Sequence, residues 1–187
     1  MSRLKIWGEI RPTDTFAVAI VGSRLSSGRG EKIAYEFSFY LAGHGVTIIS
    51  GLARGIDSVA HRAAIDAGGR TIAVLGSGID VIYPPENINL AREISENGAV
   101  VSQFPRGTKP YAKNFLERNG TIAKLAKAVL IVEGARRSGT LSTATWAVNQ
   151  GREVFVIPGS GVTEYLINQG ATVANSPADI LEYLNSL

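Results

Sequence analysis

Short runs of apolar, often β-branched residues alternate with amphipathic segments along most of the chain, and this alternation constrains the fold more than any other feature. The run Phe16–Val21 is continuously apolar, which is typical of a strand buried on both faces. Further strands are predicted at Val46–Ser50, Thr71–Leu75, Ala99–Ser102, Ala128–Val132 and Glu153–Ile157. Helices are predicted between and after them, at about 30–42, 55–67, 88–96, 115–125, 140–149 and 163–169, with a last one beginning at Ser176-Pro177. Alternating strands and helices with right-handed crossovers predict an α/β fold with a doubly wound, mostly parallel open sheet and helices on both faces.

Composition narrows the class of protein. The 187 residues include no cysteine, which excludes disulfides and thiolate chemistry. No apolar run reaches the roughly 18 residues of a membrane span, and Met1–Arg11 does not have the pattern of a signal peptide. We therefore expect one Rossmann-like domain over residues 1–187, cytoplasmic and without membrane contact.

The positive charge of the chain is concentrated in one segment. The net charge is +3, yet residues 103–127 contain six basic side chains and one acidic side chain, a local balance of +5. The remainder of the chain therefore sums to −2. Such a concentration is typical of a protein that binds a polyanion, although a solvated basic helix gives the same pattern.

The loops that follow the predicted strands indicate a ligand site. In doubly wound sheets, ligands bind beyond the carboxyl ends of the strands. Three such loops combine glycine with arginine: Gly22-Ser23-Arg24, Ser50–Asp57, and Glu133–Thr140, which contains Arg136, Arg137, Ser138, Gly139 and Thr140. Glycine allows close backbone approach, free N–H groups at helix starts attract anions, and arginine binds phosphate through two parallel hydrogen bonds. These loops predict a phosphate-bearing ligand.

Catalytic candidates are few. Asp57 and His61 share one helix face, and we favour a structural role for both over an acid–base pair. Neither the six-position dinucleotide fingerprint nor a Walker lysine loop is present, and Gly76–Asp80 only partly resembles the former. We expect no cofactor and no metal site, and a binding protein fits these observations better than an enzyme.

The ordered series of motifs resembles the Rossmann-like core of the DNA-processing protein A family (DprA/Smf). The resemblance covers about residues 16–173 and rests on Val21–Arg24, Ser50–Asp57 with Ala60-His61, Thr71–Gly78 running to Tyr83–Asn87, Phe115–Asn119, Arg137–Thr140 and Gly151–Gly159. It implies a protein that binds single-stranded DNA, loads a RecA-type recombinase during natural transformation, and forms a homodimer.

The resemblance also implies site residues. Arg24 and Arg54 would line a phosphate pocket, with Ser50 and Gly51 adding hydroxyl or backbone contacts. Lys113 would reach another phosphate, Phe115 would stack on a base, and Arg118 with Asn119 would form the groove floor. A basic track with an aromatic face suits a sequence-tolerant single-strand binder.

The chain departs from the family pattern at several positions. Gly120 replaces a usual second arginine, Gln103 replaces a usual acidic residue, and the loop after Gly159 is short. We also expect no separate helical or winged-helix domain in 187 residues. The departures weaken the expectation of recombinase loading more than that of DNA binding.

Two other functions remain open. The fold and the Ser138-Gly139-Thr140 loop are similar to those of nucleoside-monophosphate phosphoribohydrolases, but those enzymes use a glutamate just inside the following helix, where this chain has Leu141–Ala144. A nucleotide-sensing module is the other alternative.

Overall fold

A computed structural model describes residues 4–136 and 138–187 and contains one eight-stranded sheet within that part of the chain. The strand order is β1-β5-β4-β3-β2-β6-β7-β8, and every pairing is parallel except that of β1 with β5. The strands are β1 (Lys5–Gly8), β2 (Ala17–Val21), β3 (Thr47–Ser50), β4 (Thr71–Leu75), β5 (Ala99–Ser102), β6 (Ala128–Ile131), β7 (Glu153–Val156) and β8 (Thr172–Val173). The predicted doubly wound, mostly parallel α/β class is confirmed.

Helices cover both faces of this sheet. Helices α1 (Gly28–Gly43), α2 (Ile56–Asp66), α3 (Ile88–Glu96) and α7 (Pro177–Asn185) pack on one face. Helices α4 (Ala112–Leu125), α5 (Gly139–Asn149) and α6 (Gly161–Ile167) pack on the other. Every residue of β2 is buried, because apolar side chains from helices on both sides cover it. No helix in the described residues is long and apolar enough to cross a membrane.

The strand order creates a switch point in the middle of the sheet. From β2 the chain winds outward through β3, β4 and β5, and it then returns to place β6 on the other side of β2. Val18 is paired with Ile48 on one side and with Ala128 on the other. The loops after β2 and β6 therefore leave the sheet side by side and diverge, which opens a crevice between them.

The structure adds elements that the sequence patterns do not predict. Strand β1 is a short, exposed edge strand that pairs antiparallel with β5, and β8 is a two-residue strand at the opposite edge. Neither has a buried apolar run, which is the signal that identifies the central strands. Helix α4 begins at Ala112, three residues before the predicted start at Phe115, and its first turn carries Lys113.

A buried ion pair anchors the chain at the amino-terminal end of the sheet. Asp14 is 5% exposed and accepts hydrogen bonds from Arg70 Nε (2.7 Å) and Nη2 (2.8 Å) and from the Thr47 hydroxyl (2.8 Å). Arg70 also donates to the backbone carbonyls of Glu9 and Asn97. This network ties the segment before β2 to β3 and β4, far from the loops at the carboxyl ends.

Candidate functional site

A pocket of about 380 Å³ lies at the switch point, between the loops that follow β2 and β6. Ala53 from the loop after β3 and side chains of α4 and α5 complete its walls. Its lining includes nine of the thirteen predicted site residues: Gly22, Ser23, Arg24, Phe115, Arg118, Asn119, Ser138, Gly139 and Thr140. Loops from separate strand ends thus meet in one concave place, but the expected Arg54 and Lys113 are not among the residues that line it.

The floor of this switch-point pocket is a buried arginine. Arg118 is 3% exposed, and its Nη1 donates hydrogen bonds to the backbone carbonyls of Gly51 and Val74. Burial lowers the pKa of Arg118 to about 10, so the guanidinium stays charged at neutral pH. Its Nε donates to Asn119 Oδ1 at 3.2 Å, and Asn119 Nδ2 donates to the Gly139 carbonyl at 3.1 Å. The floor therefore connects α4 to β3, β4 and the start of α5.

The loop after β3 is held in one conformation by partners from two sides. The Asp57 carboxylate accepts hydrogen bonds from the backbone N–H groups of Gly51 (3.2 Å) and Ala53 (3.4 Å). Asn87 Nδ2 donates to the Leu52 carbonyl at 2.9 Å. Leu52 is fully buried and has a φ of +58°, a left-handed conformation that is unusual for a side chain of this kind. Asp57 and Asn87 therefore stabilise a strained loop beside the pocket.

Close backbone approach joins the loops after β2 and β3. Gly55 has a φ of +70°, and a Cβ at this position would lie 2.4 Å from the Ser23 carbonyl oxygen. The next N–H, that of Ile56, donates to this same oxygen at 3.2 Å. Only glycine permits both the left-handed conformation and the contact. As a result, the loop that carries Arg54 is fixed against the loop that carries Arg24.

Two guanidinium groups approach the ring of Phe115 in the pocket. The Cζ atom of Arg24 is 4.9 Å from the Phe115 ring centroid, and that of Arg118 is 5.8 Å from it. The Tyr83 ring is 5.9 Å from Phe115, centroid to centroid, and the Phe115 ring also packs on the backbone at Gly76. In this conformation a cation already occupies one approach to the ring. A base that stacks on Phe115 has to share the ring with Arg24 or displace it.

The helix N-termini around the pocket differ in whether they already hold an anion. The Glu133 carboxylate accepts hydrogen bonds from the Ser27 backbone N–H and hydroxyl, both at 2.7 Å, and so neutralises the start of α1. Helix α5, in contrast, has no acidic residue in its first turn, and its N-cap Ser138 makes no capping hydrogen bond. The Ser138 hydroxyl is buried without a hydrogen-bond partner among the described residues. The start of α5 is therefore ready for an external anion.

The remaining predicted site residues lie at the edge of the pocket or beneath it. Arg54 is exposed and pairs through its Nε with the Glu86 carboxylate. Lys113 is exposed on the first turn of α4. Ser50 is fully buried, and its hydroxyl donates to the Ile20 carbonyl at 2.7 Å. Gly51 is also buried; its N–H donates a hydrogen bond to the Asp57 carboxylate, and its carbonyl accepts one from Arg118.

Ser50 and Gly51, which were expected to contact phosphate, are therefore hydrogen-bonded within the protein instead. The reason is that Ser50 ends a central strand and Gly51 begins the strained loop, so both lie below the pocket surface. Arg137 lies outside the described residues.

His61 is part of the core. Its Nδ1 lies 2.6 Å from the Thr71 hydroxyl oxygen, and the hydroxyl itself donates to the Ile48 carbonyl at 2.7 Å, which places the ring proton on Nδ1. Nε2 has no hydrogen-bond partner among the described residues. Burial and the nearby charge of Arg118 lower the pKa of His61 to about 3. Asp57, meanwhile, is bound by backbone N–H groups, so each member of the suspected pair has another partner.

Sequence reasoning did not single out Glu133, Asn87 or Tyr83 as parts of the site. Glu133 binds the start of α1, Asn87 holds the strained loop, and the Tyr83 ring packs at a tilt beside Phe115. Tyr83 and Asn87 fall within the motif that runs from Tyr83 to Asn87, so the motif pointed to their region without giving their roles.

The sheet and the switch-point pocket define a doubly wound α/β protein whose pocket lies where such folds place their ligands. Comparison with known proteins narrows this class. The family described as DNA recombination-mediator protein A matches residues 2–185, and the chain belongs to this family of DNA-processing proteins, DprA and Smf.

Individual relatives agree with that assignment. Protein Smf of Escherichia coli is 48% identical over an aligned length of 188 positions, and the alignment covers 97% of this chain and 50% of the relative. The structure of DNA processing protein A from Streptococcus pneumoniae superposes with a TM-score of 0.89 at 40% identity, over 96% of this chain and 65% of that one. A structure concerned with the single-stranded DNA binding mode of DNA processing protein A from Helicobacter pylori has a TM-score of 0.88 at 28% identity. The match covers 98% of this chain and 86% of that one. The chain thus spans about half the length of its E. coli relative.

Proposed function

We propose that this chain binds single-stranded DNA at the switch-point pocket and acts as a mediator of DNA recombination. The observation that carries the proposal is the meeting of Arg24, Phe115 and the buried Arg118 beside the free N-terminus of α5. Guanidinium groups and helix N–H groups bind phosphate, and an aromatic ring offers a stacking surface that tolerates any base. The membership of the chain in the recombination-mediator family supports the same function.

The proposal extends to partners. The likeness to DprA proteins suggests that the bound strand is protected and passed to a RecA-type recombinase in the cytoplasm, without catalysis by this chain. We also propose a homodimer. Among the described residues β8 pairs only with β7 and forms one edge of the sheet, and α6 precedes it in the chain, so the region from Gly161 to Gln169 is our candidate contact. Light scattering after size-exclusion chromatography tests the dimer, and a strand-exchange assay with a recombinase tests the mediator role.

The central experiment measures the binding of a fluorescent oligothymidylate as a function of salt. We expect binding at low ionic strength and a modest log–log salt slope of about 2 to 3.5, because roughly 3–5 phosphates are neutralised and each contributes about 0.7. A duplex of the same length should bind more weakly, since its bases are not available for stacking. No binding of the single strand at low salt would refute the proposal.

Replacement of Arg24 by Ala identifies the pocket as the site. We expect affinity to fall roughly 10- to 100-fold, the usual cost of losing a hydrogen bond to a charged group, and the salt slope to fall by about 0.7. Arg92→Ala is the matched control, because Arg92 is exposed on α3, on the opposite face of the sheet from α4 and α5. Equal effects of the two substitutions would place the DNA outside this pocket.

A further inference from the structure

A second groove, of about 640 Å³, opens beside the switch-point pocket along α4 and α5. The two share Leu116, Ser138 and Gly139 as walls, so a chain molecule can pass from one to the other without leaving the surface. The remaining lining residues come mainly from one side of α5: Arg136, Leu141, Ser142, Thr145, Trp146 and Asn149. Apart from Arg136, which lies in the glycine–arginine loop after β6, none of these six was assigned a role above.

The wall of this α4–α5 groove is an indole ring in a fixed orientation. Trp146 Nε1 donates a hydrogen bond to the Leu116 carbonyl at 3.1 Å. A Cβ placed on Gly120 would lie 3.0 Å from Trp146 Cδ2, 3.2 Å from Cε2 and 3.3 Å from Cε3. The six-membered ring therefore lies flat against the α4 backbone, and a larger residue at Gly120 would push it away. Trp146 remains 41% exposed, so its other face is open.

One cationic side chain and several polar side chains line the groove with this aromatic face. The exposed Arg136 guanidinium lies 4.8 Å from the Tyr165 ring centroid, a cation–π contact that holds it at the rim. The N-terminus of α5, where the Ser138 hydroxyl has no hydrogen-bond partner within the described part of the chain, lies where the groove meets the pocket. Hydroxyl and amide side chains of α5 line the interior of the groove. A flat ring beside anion-binding groups matches the two parts of a nucleotide, its base and its phosphate.

We propose that Trp146 is a stacking platform for an unpaired nucleobase whose strand continues from the switch-point pocket, with Arg136 on the phosphate between the two sites. The proposal rests on the single-stranded DNA function proposed above and adds a base-binding subsite to it. The ring is already immobilised by Leu116 and Gly120, so stacking requires little further ordering of the side chain. The continuity of the groove with the pocket, its polar interior and the Arg136 guanidinium at its rim favour a nucleic acid over an apolar protein segment.

The test exploits the tryptophan content, which is limited to Trp7 and Trp146. In a Trp7→Phe background, the indole of Trp146 reports on stacking directly. Two probes of about 12 nucleotides are compared, an oligothymidylate and an oligonucleotide of equal length with abasic sites throughout. We expect the oligothymidylate to quench Trp146 fluorescence and the abasic strand to bind without quenching, since it offers phosphates but no bases.

Substitution then measures the contribution of the ring. Trp146→Ala should weaken oligothymidylate binding by roughly tenfold and leave the affinity for the abasic strand unchanged, with partial recovery in Trp146→Phe. Val148→Ala is the matched control, because Val148 is 64% exposed on the same helix and outside the groove. If oligothymidylate binds but neither quenches Trp146 nor responds to Trp146→Ala, the subsite is refuted and the groove serves another partner. If neither strand binds, the proposed single-stranded DNA function is itself refuted, and the subsite with it.

Discussion

Replacement of His61 by Gln should remove most of the dependence of stability on mildly acidic pH. The imidazole is fully buried, its Nδ1 proton is directed at Thr71, and Nε2 has no partner among the described residues that could accept a second proton. The pKa of His61 falls from 6.5 to about 3, so the folded protein keeps the ring neutral while the unfolded chain takes up a proton below pH 6.5. The stability that depends on the neutral ring is thus complete above pH 6.5 and is lost as the pH falls toward 3.

The magnitude follows from the two pKa values. At pH 5 the unfolded histidine is about 1.5 pH units below its pKa of 6.5, and each unit stabilises the protonated unfolded state by about 1.36 kcal/mol. The free energy of unfolding should therefore fall by about 2 kcal/mol between pH 8 and pH 5 because of this group alone. Urea unfolding at both pH values measures that loss. In His61→Gln we expect the difference in unfolding free energy between pH 8 and pH 5 to be about 2 kcal/mol smaller than in the wild type. This expectation does not depend on how much stability the substitution costs at pH 8.

A control variant separates the buried imidazole from its hydrogen bond. Thr71→Val removes the hydroxyl that His61 contacts but keeps the ring buried, so the loss between pH 8 and pH 5 should persist. Equal losses in the wild type and in His61→Gln would refute the reasoning. A histidine NMR resonance assigned to His61 and titrating near pH 6.5 would do the same, and would reopen an acid–base role for the Asp57–His61 pair.

Two further predictions concern the frame that supports the site. Burial alone would raise the pKa of Asp14, but hydrogen bonds from Arg70 and other donors outweigh it and hold the pKa below 3.8. Asp14→Asn should therefore cost about 3 kcal/mol at neutral pH. In urea titrations the difference from wild type should shrink below about pH 4, because the carboxyl of the unfolded chain is protonated there and the native carboxylate only at lower pH. Gly51→Ala would place a Cβ 2.1 Å from Arg118 Nη1, so we expect a loss of about 2 kcal/mol in unfolding free energy together with weaker oligothymidylate binding. Gly43→Ala, with nothing within 4 Å, is its control and should be neutral or slightly stabilising; similar costs for the two glycines would contradict the clash.

The charge pattern of the basic segment illustrates how far sequence reasoning reaches. Composition located six basic side chains between residues 103 and 127, and a solvated basic helix was the plain alternative. Lys113 is indeed exposed, but Arg118 in the same helix is 3% exposed and hydrogen-bonded to two carbonyl groups. The spacing of charges along α4 could not separate the two, because burial of a side chain depends on which strand ends face it.

The prediction for Ser50 and Gly51 shows the same limit. Their loop was correctly placed at a strand end beside the pocket, and Arg24 from the neighbouring loop reaches the pocket directly. Ser50 and Gly51 themselves lie beneath the surface, with partners in Ile20, Asp57 and Arg118. A motif gives the position of a loop in the chain but not the direction in which each of its groups points.

The sequence by itself determined the order and approximate bounds of the central strands and of the helices, and the loops that carry the glycine–arginine motifs. Those features follow from local physics: the period of apolar residues, the conformations open to glycine and the caps of helices. The tertiary structure decided which loops are neighbours, because β6 pairs with β2 and so brings Arg24 to the start of α5. It also decided that Glu133 occupies one helix start and leaves the other free, and that Gly120 admits the ring of Trp146. Contacts between residues distant in the chain depend on the packing of the whole sheet, which no local pattern encodes.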